Sequence, residues 1–218
     1  ERVHAGDPAW VPPLRAERRA HLSSRSNPFF RHADARFWTA WRNGQPVGRI
    51  SAQVDHLHLE HHGEACGYFG MLDAVDDPAV FSALLGTAEE WLRDQGMDRV
   101  RGPFSLSIND ECGLLVGGFE HAPRILMGHD RPYYGARLAE AGYAPARDLL
   151  AYRIAADFTP STTMRRLQGR FGHRMELRHV RRSRMGRELA TLRHLFNEAW
   201  GRNWGFVPFT KAEFAQLG

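Results

Sequence analysis

The sequence predicts an α/β domain built on a mixed sheet, and three features carry that prediction. Asn43-Gly44 separates two strand-like segments, Phe37–Arg42 and Val47–Val54, and both residues of this dipeptide accept the positive φ angles of a tight hairpin turn. One long segment, Pro78–Gln95, places its apolar residues at helical spacing. Strand-like segments lie on both sides of this helix, so we expect a parallel crossover.

The N-terminal part of the chain is less regular than the rest. Residues 1–34 contain several prolines, which predict an irregular segment that packs on the core, with one short helix near Leu14–Leu22. After the hairpin comes a His-rich stretch that we interpret as a loop, and Cys66–Asp73 is the third predicted strand.

The remaining elements of the first domain are placed by capping residues and glycines. Asp77 is suited to cap the long helix and Gly96 to end it. Val100–Ile108 is then predicted to be a strand. A second helix is predicted to begin at Pro132 and to end at Gly142, and Leu149–Ile154 is the last predicted strand.

Composition restricts the compartment and the class of protein. Among 218 residues there are only two cysteines, Cys66 and Cys112, and neither has a CxxC partner. This argues against a zinc knuckle or a disulfide scaffold and fits a reducing compartment. The sequence contains no apolar run long enough to span a bilayer. We therefore expect a cytoplasmic protein.

Charge and apolar patterning divide the chain into four parts. The irregular segment 1–34 is followed by a first lobe at 35–156, a basic connector at 157–187, and the opening of an incomplete second lobe at 188–218. The net charge is +4, and nine arginines crowd Arg165–Arg187, opposed only by Glu176 and Glu188. A solvated face is one interpretation. The other is peripheral contact with anionic lipid at the inner membrane face; we expect no nucleic acid.

Several strings go beyond fold class. They are DPAWVPPLR at 7–15, NPFFRHA at 27–33, GPFSLSINDECGLLVGGF at 102–119 and FNEAWGRNWGFVPFT at 196–210. With the element order, they resemble the GNAT acyltransferases, and within them a bacterial ceramide synthase-like branch with two GNAT-like lobes. The resemblance implies a GNAT-like mixed, mainly antiparallel sheet flanked by helices. It also implies transfer of a fatty acyl group from acyl-CoA to the amine of a sphingoid-type long-chain base.

The chain departs from the GNAT pattern at the site for acyl-CoA. That family binds pyrophosphate through backbone N–H groups of a glycine-rich loop at a strand–helix junction. The corresponding residues here are Asp76-Asp77-Pro78, whose carboxylates repel phosphate and whose proline lacks an N–H. We expect acyl-CoA to bind mainly in the second lobe. A non-catalytic lobe that binds lipid or a protein partner is the alternative.

The polar run Asn109-Asp110-Glu111 is the first candidate site. Acylation of an amine requires the ammonium to lose a proton, which a carboxylate in a cleft can accept. We assign Glu111 as the base, Asp110 as the second choice and substrate contact, and Asn109 as the group that orients the acceptor. The alternative is an Asx turn that leaves the strand.

Three further residues complete the predicted site. Tyr134 is a candidate hydrogen-bond donor to the acyl oxygen or the departing sulfur, with Tyr133 and His129 as substrate contacts. His129 is also an alternative candidate for the base. Core packing is the alternative for the tyrosines, and polar surface for the histidine.

We assign no catalytic or metal-binding role to the histidine cluster, to Cys112 or to four aromatic residues. The histidines at 56, 58, 61 and 62 lack a familiar ligand spacing, so we predict no metal. Cys112 lacks a nearby histidine in sequence, and direct transfer fits the resemblance better than a thiol nucleophile. Four aromatic side chains are predicted to lie in the core: Phe37, Trp38, Trp41 and Trp91.

Overall fold

The computed structural model describes residues 2–174 and 178–217. Its strands are Ala33–Arg42 (β1), Gln45–Asp55 (β2), Cys66–Ala74 (β3) and Arg99–Arg101 (β4). Its helices are Arg15–His21 (α1), His56–His62 (α2), Pro78–Asp94 (α3), Tyr134–Glu140 (α4), Thr162–Phe171 (α5), Met185–Trp200 (α6) and Lys211–Leu217 (α7).

The four strands form one sheet in the order β1-β2-β3-β4. The first two pairs are antiparallel, and β4 runs parallel to β3 through the α3 crossover. The hairpin turns at Asn43 and Gly44 with φ angles of 49° and 71°, as the dipeptide predicted. The predicted fold class, a mixed and mainly antiparallel sheet flanked by helices, is confirmed.

Helix α3 covers one face of the sheet and builds the main core. The Asp77 carboxylate accepts a hydrogen bond from the Ala79 N–H at 2.8 Å, which caps the helix start, and Gly96 follows its end with a φ of 80°. The apolar stripe of α3 is buried against β2 and β3; it consists of Val80, Phe81, Leu84, Leu85, Ala88 and Leu92. Each large side chain buried there contributes about 1.5–3 kcal/mol.

The opposite face of the sheet is polar yet buried. Side chains alternate between faces along a strand, and Ser51, Gln53 and Asp55 of β2 all point away from the α3 side while remaining at most 3% exposed. The N-terminal segment and the chain after β4 cover them. A second apolar cluster, which includes Phe29 and Leu106, joins these two covering segments.

The predicted strand Val100–Ile108 is mostly wrong. Only Arg99–Arg101 pairs with β3, and the chain then turns away at Pro103, which has no N–H to donate to a ladder. Residues 103–113 instead fold back on themselves, with an isolated bridge between Phe104 and Cys112. We call residues 103–113 the return loop.

Two other local predictions are also wrong. The His-rich stretch is helix α2, because the Asp55 carboxylate accepts the Leu57 N–H at 3.0 Å and caps it. Residues 143–161, all within the described range, form no strand or helix, and the predicted strand Leu149–Ile154 is exposed along its length. A strand needs a neighbouring edge to pair with, and the described residues provide none there.

Of the four aromatic side chains predicted to lie in the core, two pack there and two are exposed. Trp38 and Trp91 pack edge to face against the core, with ring centroids 6.2 Å apart. Phe37 and Trp41, on edge strand β1, are 44% and 65% exposed, so their predicted core position is wrong. Alternation along the strand places Phe37 on the face opposite to that of Trp38.

The Arg-rich segment predicted as a connector contains helix α5, which Ser161 caps through a hydrogen bond from the Met164 N–H. Among the described residues, no helix is both long and apolar enough to cross a bilayer.

Gly70 provides a test of how the return loop is seated. A Cβ atom at Gly70 would lie 1.6 Å from the Phe104 carbonyl oxygen, so Gly70→Ala should lower the free energy of unfolding by about 3 kcal/mol or more. Gly86→Ala is the matched control, because nothing lies within 4 Å of its added Cβ on helix α3. This control should gain roughly 0.5–1 kcal/mol. Urea denaturation measures both, and equal stability of the two variants would contradict the seating.

Candidate functional site

The return loop places the predicted polar run on the buried polar face of the sheet. The Phe104 N–H donates to the Phe69 carbonyl at 2.7 Å, and the Gln53 side-chain amide donates to the Phe104 carbonyl at 2.6 Å. Across the loop, the Ser105 N–H donates to the Glu111 carbonyl at 2.8 Å. Residues 107–110 are therefore the tip of a small hairpin-like excursion that strand β3 holds in place.

Asn109, within this tip, and Glu111, which directly follows it, already have partners. The Asn109 side-chain amide donates to the Val207 carbonyl at 3.0 Å, which ties the C-terminal segment to the loop. The Arg18 guanidinium donates to the Glu111 carboxylate at 2.8 Å, and both side chains are only partly exposed. Helix α1 thus supplies a cation to the predicted base.

Asp110 differs from its neighbours because it has no cation within ion-pair distance in the described chain. Its carboxylate accepts one long hydrogen bond, from the Ser107 N–H at 3.3 Å. Burial raises its pKa to about 6, against the lowering influence of nearby His21, and Glu213 and Glu111 add to the rise. The local bond to Ser107 fits the turn interpretation, but the raised pKa marks a carboxylate whose charge is poorly compensated.

His32 links the segments that surround this loop. Its imidazole nitrogens bond to the carboxylates of Asp55 and Glu213, each at 3.0 Å. Burial alone would lower its pKa, but the two carboxylates outweigh burial and raise it to about 9. Glu213 also bonds reciprocally with Thr210 in a capping box, so His32 fixes helix α7 to the N-terminal segment.

Sequence reasoning did not find the partners of the polar run. Arg18, His21, His32, Asp55 and Glu213 come from four distant segments, and none belongs to a motif of recognisable spacing. The string at residues 27–33 carries part of the family resemblance, but it assigns no role to His32. The paired bonds of His32 are visible only after folding.

The other predicted site residues lie in a second polar cluster. The Tyr134 hydroxyl accepts from the Ala74 N–H at 3.0 Å, and the Tyr133 hydroxyl donates to the Ala74 carbonyl at 2.7 Å. His129 bonds to the Asp7 carboxylate at 3.0 Å and is almost fully buried. Burial raises the pKa of both tyrosines. Their hydroxyls hold helix α4 on strand β3, and their roles towards substrate stay predictions.

A His–Asp pair stands beside these tyrosines. His4 Nε2 lies 2.8 Å from an Asp73 carboxylate oxygen, and Arg49 donates to the other oxygen at 2.8 Å. The His4 ring stacks on Trp10 with centroids 5.0 Å apart. Although burial opposes it, these partners lower the pKa of Asp73. The pair anchors the first residues of the chain to the end of β3.

His58 of helix α2 belongs to a cluster of ion pairs around Glu64. Because this segment is a helix, the His58 and His62 rings lie one helical turn apart, with centroids at 4.4 Å. Donor atoms of His58, Glu64 and Cys66 lie within 4.8 Å of one another. However, Arg101 and Arg99 both bond to Glu64. Two guanidinium groups at the same carboxylate make this a poor place for a metal cation.

Two curated proteins are similar to almost the entire chain. Protein YghO of Escherichia coli (strain K12) is 46% identical over 217 residues, which is 99% of this chain and 55% of that protein. A protein named Bacterial ceramide synthase, from Caulobacter vibrioides (strain NA1000 / CB15N), is 48% identical over 220 residues, or 99% of this chain and 57% of the relative. This chain resembles a bacterial ceramide synthase. It spans little more than half the length of either relative.

No protein-family model matches the chain, and no solved structure matches it. The similarity to the ceramide synthase nevertheless runs through the return loop and both polar clusters, because it covers 99% of the chain.

Both carboxylates at the strand–helix junction, residues 76–78, are paired with arginines. Asp77 caps α3 and also accepts from Arg42 at 2.7 Å, while Asp76 pairs with Arg137 of helix α4. The Asp77 side chain covers the first N–H groups of α3, which are the donors that a phosphate would use.

The raised pKa of His32 gives a pH test. Because its pKa of about 9 exceeds the ordinary 6.5, its protonated ring stabilises the fold fully below pH 6.5 and loses this contribution as pH rises through 9. His32→Gln should lower the free energy of unfolding at pH 6 on the order of 2–3 kcal/mol, and much less at about pH 10. Denaturation at a series of pH values measures this.

His121→Gln is the control for this test, because the His121 side chain is 79% exposed and pairs with its exposed neighbour Glu120. It should leave the pH dependence unchanged. A loss of stability in His32→Gln that is the same at every pH would mean that the ring acts by packing and not by charge.

Proposed function

We propose that the full-length protein is an acyl-CoA-dependent N-acyltransferase of the GNAT type. It transfers a fatty acyl group to the amine of a sphingoid-type long-chain base. The observation that carries this proposal is the 48% identity to a protein named Bacterial ceramide synthase over 99% of the chain. The mixed sheet and the half-buried carboxylates of the return loop support it. We place the reaction in the cytoplasm, in line with the two unpaired cysteines.

The chemistry requires one proton to leave the acceptor before the bond forms. The long-chain base arrives as an ammonium ion, which cannot attack a carbonyl carbon until it loses a proton. The free amine then attacks the thioester carbon, the carbon–nitrogen bond forms, and the carbon–sulfur bond breaks as the thiolate departs. The nitrogen loses a second proton and the thiolate takes up one, so the products are an amide, the CoA thiol and one released proton.

Asp110 suits the first proton transfer better than Glu111. Its half-buried carboxylate lies near His21 but forms no ion pair in the described structure, so an incoming ammonium would supply compensating charge. Its pKa of about 6 also brings it closer to the working pH of a general base. Glu111 is already paired with Arg18. In our proposal Asp110 therefore accepts the proton and Glu111 fixes helix α1, which reverses the order favoured from sequence.

The acyl donor is proposed to bind mainly outside these 218 residues. The carboxylates at 76 and 77 occupy the strand–helix junction and are themselves paired with arginines. Pyrophosphate would have to displace these pairs and approach two negative charges. The relatives are longer than this chain, and their additional length leaves room for a separate phosphate-binding loop.

The direct test is an assay of the full-length protein with a long-chain acyl-CoA and a long-chain base, in which mass spectrometry detects the amide. Formation of the amide and of free CoA thiol in equal amounts would support the proposal. Failure with all chain lengths, together with tight binding of lipid or a protein, would favour the alternative of a non-catalytic binding lobe.

Substitutions in the return loop test the assignment of the base. Asp110→Asn should lower kcat by roughly 10²–10⁴-fold, because the amide cannot accept the proton, and raising the pH should restore part of the rate. Ionising Asp110 between about pH 4 and 6 destabilises the fold, since its pKa is raised. The variant should therefore be at least as stable as the parent at neutral pH.

Glu111→Gln tests the order predicted from sequence. A larger loss of kcat in Glu111→Gln than in Asp110→Asn, without a loss of stability, would return the role of base to Glu111. Glu120→Gln, at an exposed position nine residues further along the chain, is the control and should be fully active.

Binding of CoA provides a separate test. Isothermal titration of the 218-residue chain with CoA should show weak binding or none, whereas the full-length protein should bind it. Micromolar binding of CoA by the 218-residue chain would contradict the proposal that the donor site lies elsewhere.

A further inference from the structure

Helix α5, Thr162–Phe171, is a helix without a packing partner in the described structure. None of its ten residues is buried, and the turn Gly172–Arg174 directly continues it. An isolated helix of this length is marginal in water, because most helical stability comes from packing of an apolar face. The surface of this helix is therefore open to contact with something outside residues 2–174 and 178–217.

One face of α5 is apolar and exposed. Met164, Leu167 and Phe171 follow each other at intervals of three and four residues, which places them on the same side of a helix. They are 49%, 50% and 36% exposed. A solvated connector gains nothing from an apolar stripe, so this pattern argues against the purely solvated face that composition alone allowed.

The remainder of the helix surface is cationic. Arg165, Arg166, Arg170 and Arg174 occur within Thr162–Arg174, and this segment contains no acidic residue. In the described part of the chain, none of these four guanidinium groups forms an ion pair. Two of them lie over the ring of Phe171, at 5.2 Å for Arg170 and 5.9 Å for Arg174. The cations thus border the apolar stripe.

We propose that α5 docks on the surface of an anionic phospholipid bilayer. Met164, Leu167 and Phe171 would enter the boundary between headgroups and acyl chains, and the arginines would contact lipid phosphates. A basic helix with a narrow apolar stripe is the form that interfacial helices take. Nucleic acid would match the charge but would leave the apolar stripe exposed to water. This proposal does not depend on the acyltransferase activity.

The test is vesicle co-flotation of the full-length protein. Vesicles of phosphatidylcholine with roughly one third phosphatidylglycerol should bind the protein at low salt, whereas pure phosphatidylcholine should not. Arg166→Glu/Arg170→Glu and, separately, Leu167→Ser should each lower the partition coefficient, the charge reversal by roughly tenfold or more. Added salt should weaken binding, because screening acts on the arginine contacts.

Matched controls lie on other exposed parts of the chain. Arg124→Glu/Arg147→Glu changes the net charge by the same amount at two exposed arginines outside α5, and Ile125→Ser removes an apolar side chain that is 92% exposed. Both should retain binding. Absence of binding to anionic vesicles, or equal losses in the controls, would overturn the proposal.

Maleimide labelling decides whether another part of the polypeptide covers the helix. In the full-length protein without vesicles, Leu167→Cys should react as readily as Ile125→Cys and should become protected when anionic vesicles are added. A Leu167→Cys thiol that is unreactive before vesicles are added would mean that the rest of the chain occupies this face. Tighter binding to a DNA duplex, unaffected by Leu167→Ser, would assign the face to nucleic acid. Either outcome would overturn the proposal.

Discussion

The seating of the return loop on strand β3 is the contact on which the candidate site depends. Phe104 bonds to the β3 backbone through its N–H, and its carbonyl accepts the buried amide of Gln53. Gly70 makes this approach possible, since any side chain there would collide with the Phe104 carbonyl. The backbone N–H and carbonyl of Phe104 are thus both satisfied where the loop lies against the buried face of the sheet.

That seating has an electrostatic consequence. The polar face of the sheet gathers four carboxylates near the loop, and three of them have a cation: His32 serves Asp55 and Glu213, and Arg18 serves Glu111. Asp110 is left without one, and burial raises its pKa. A half-buried carboxylate without an ion-pair partner costs stability. In the role that we propose for Asp110, the ammonium group of the substrate provides the missing positive charge.

The proposed activity and the proposed docking surface are compatible but separate. A long-chain base and a fatty acyl group are both amphiphilic, and an interfacial helix would hold the protein where such molecules partition. The polar clusters are part of the folded core, whereas α5 is bonded only to its own neighbours in the described structure. Loss of membrane docking should therefore leave the fold of the site intact.

The sequence alone determined the parts of the fold that local rules govern. The Asn43-Gly44 turn, the capped and amphipathic helix α3 and the parallel crossover all depend on residue types at fixed spacing. Local rules failed where a strand needs a partner: Val100–Ile108 and Leu149–Ile154 have strand-like composition, but pairing is a property of the neighbours. Helix α2 was open to the same local rules, because its cap Asp55 directly precedes it, but the His-rich composition led to its interpretation as a loop.

For the candidate site, the sequence supplied the location and the tertiary structure supplied the chemistry. A polar run inside a string of family resemblance marked residues 109–111, and the structure places them on a buried polar face. Only the folded chain decided which carboxylates have a partner. Arg18 is remote in sequence from Glu111, and His32 from Glu213, but each pair is in contact in the folded structure. The pKa of a carboxylate depends on burial and on neighbouring charges, and both are set by tertiary contacts and not by the order of residues.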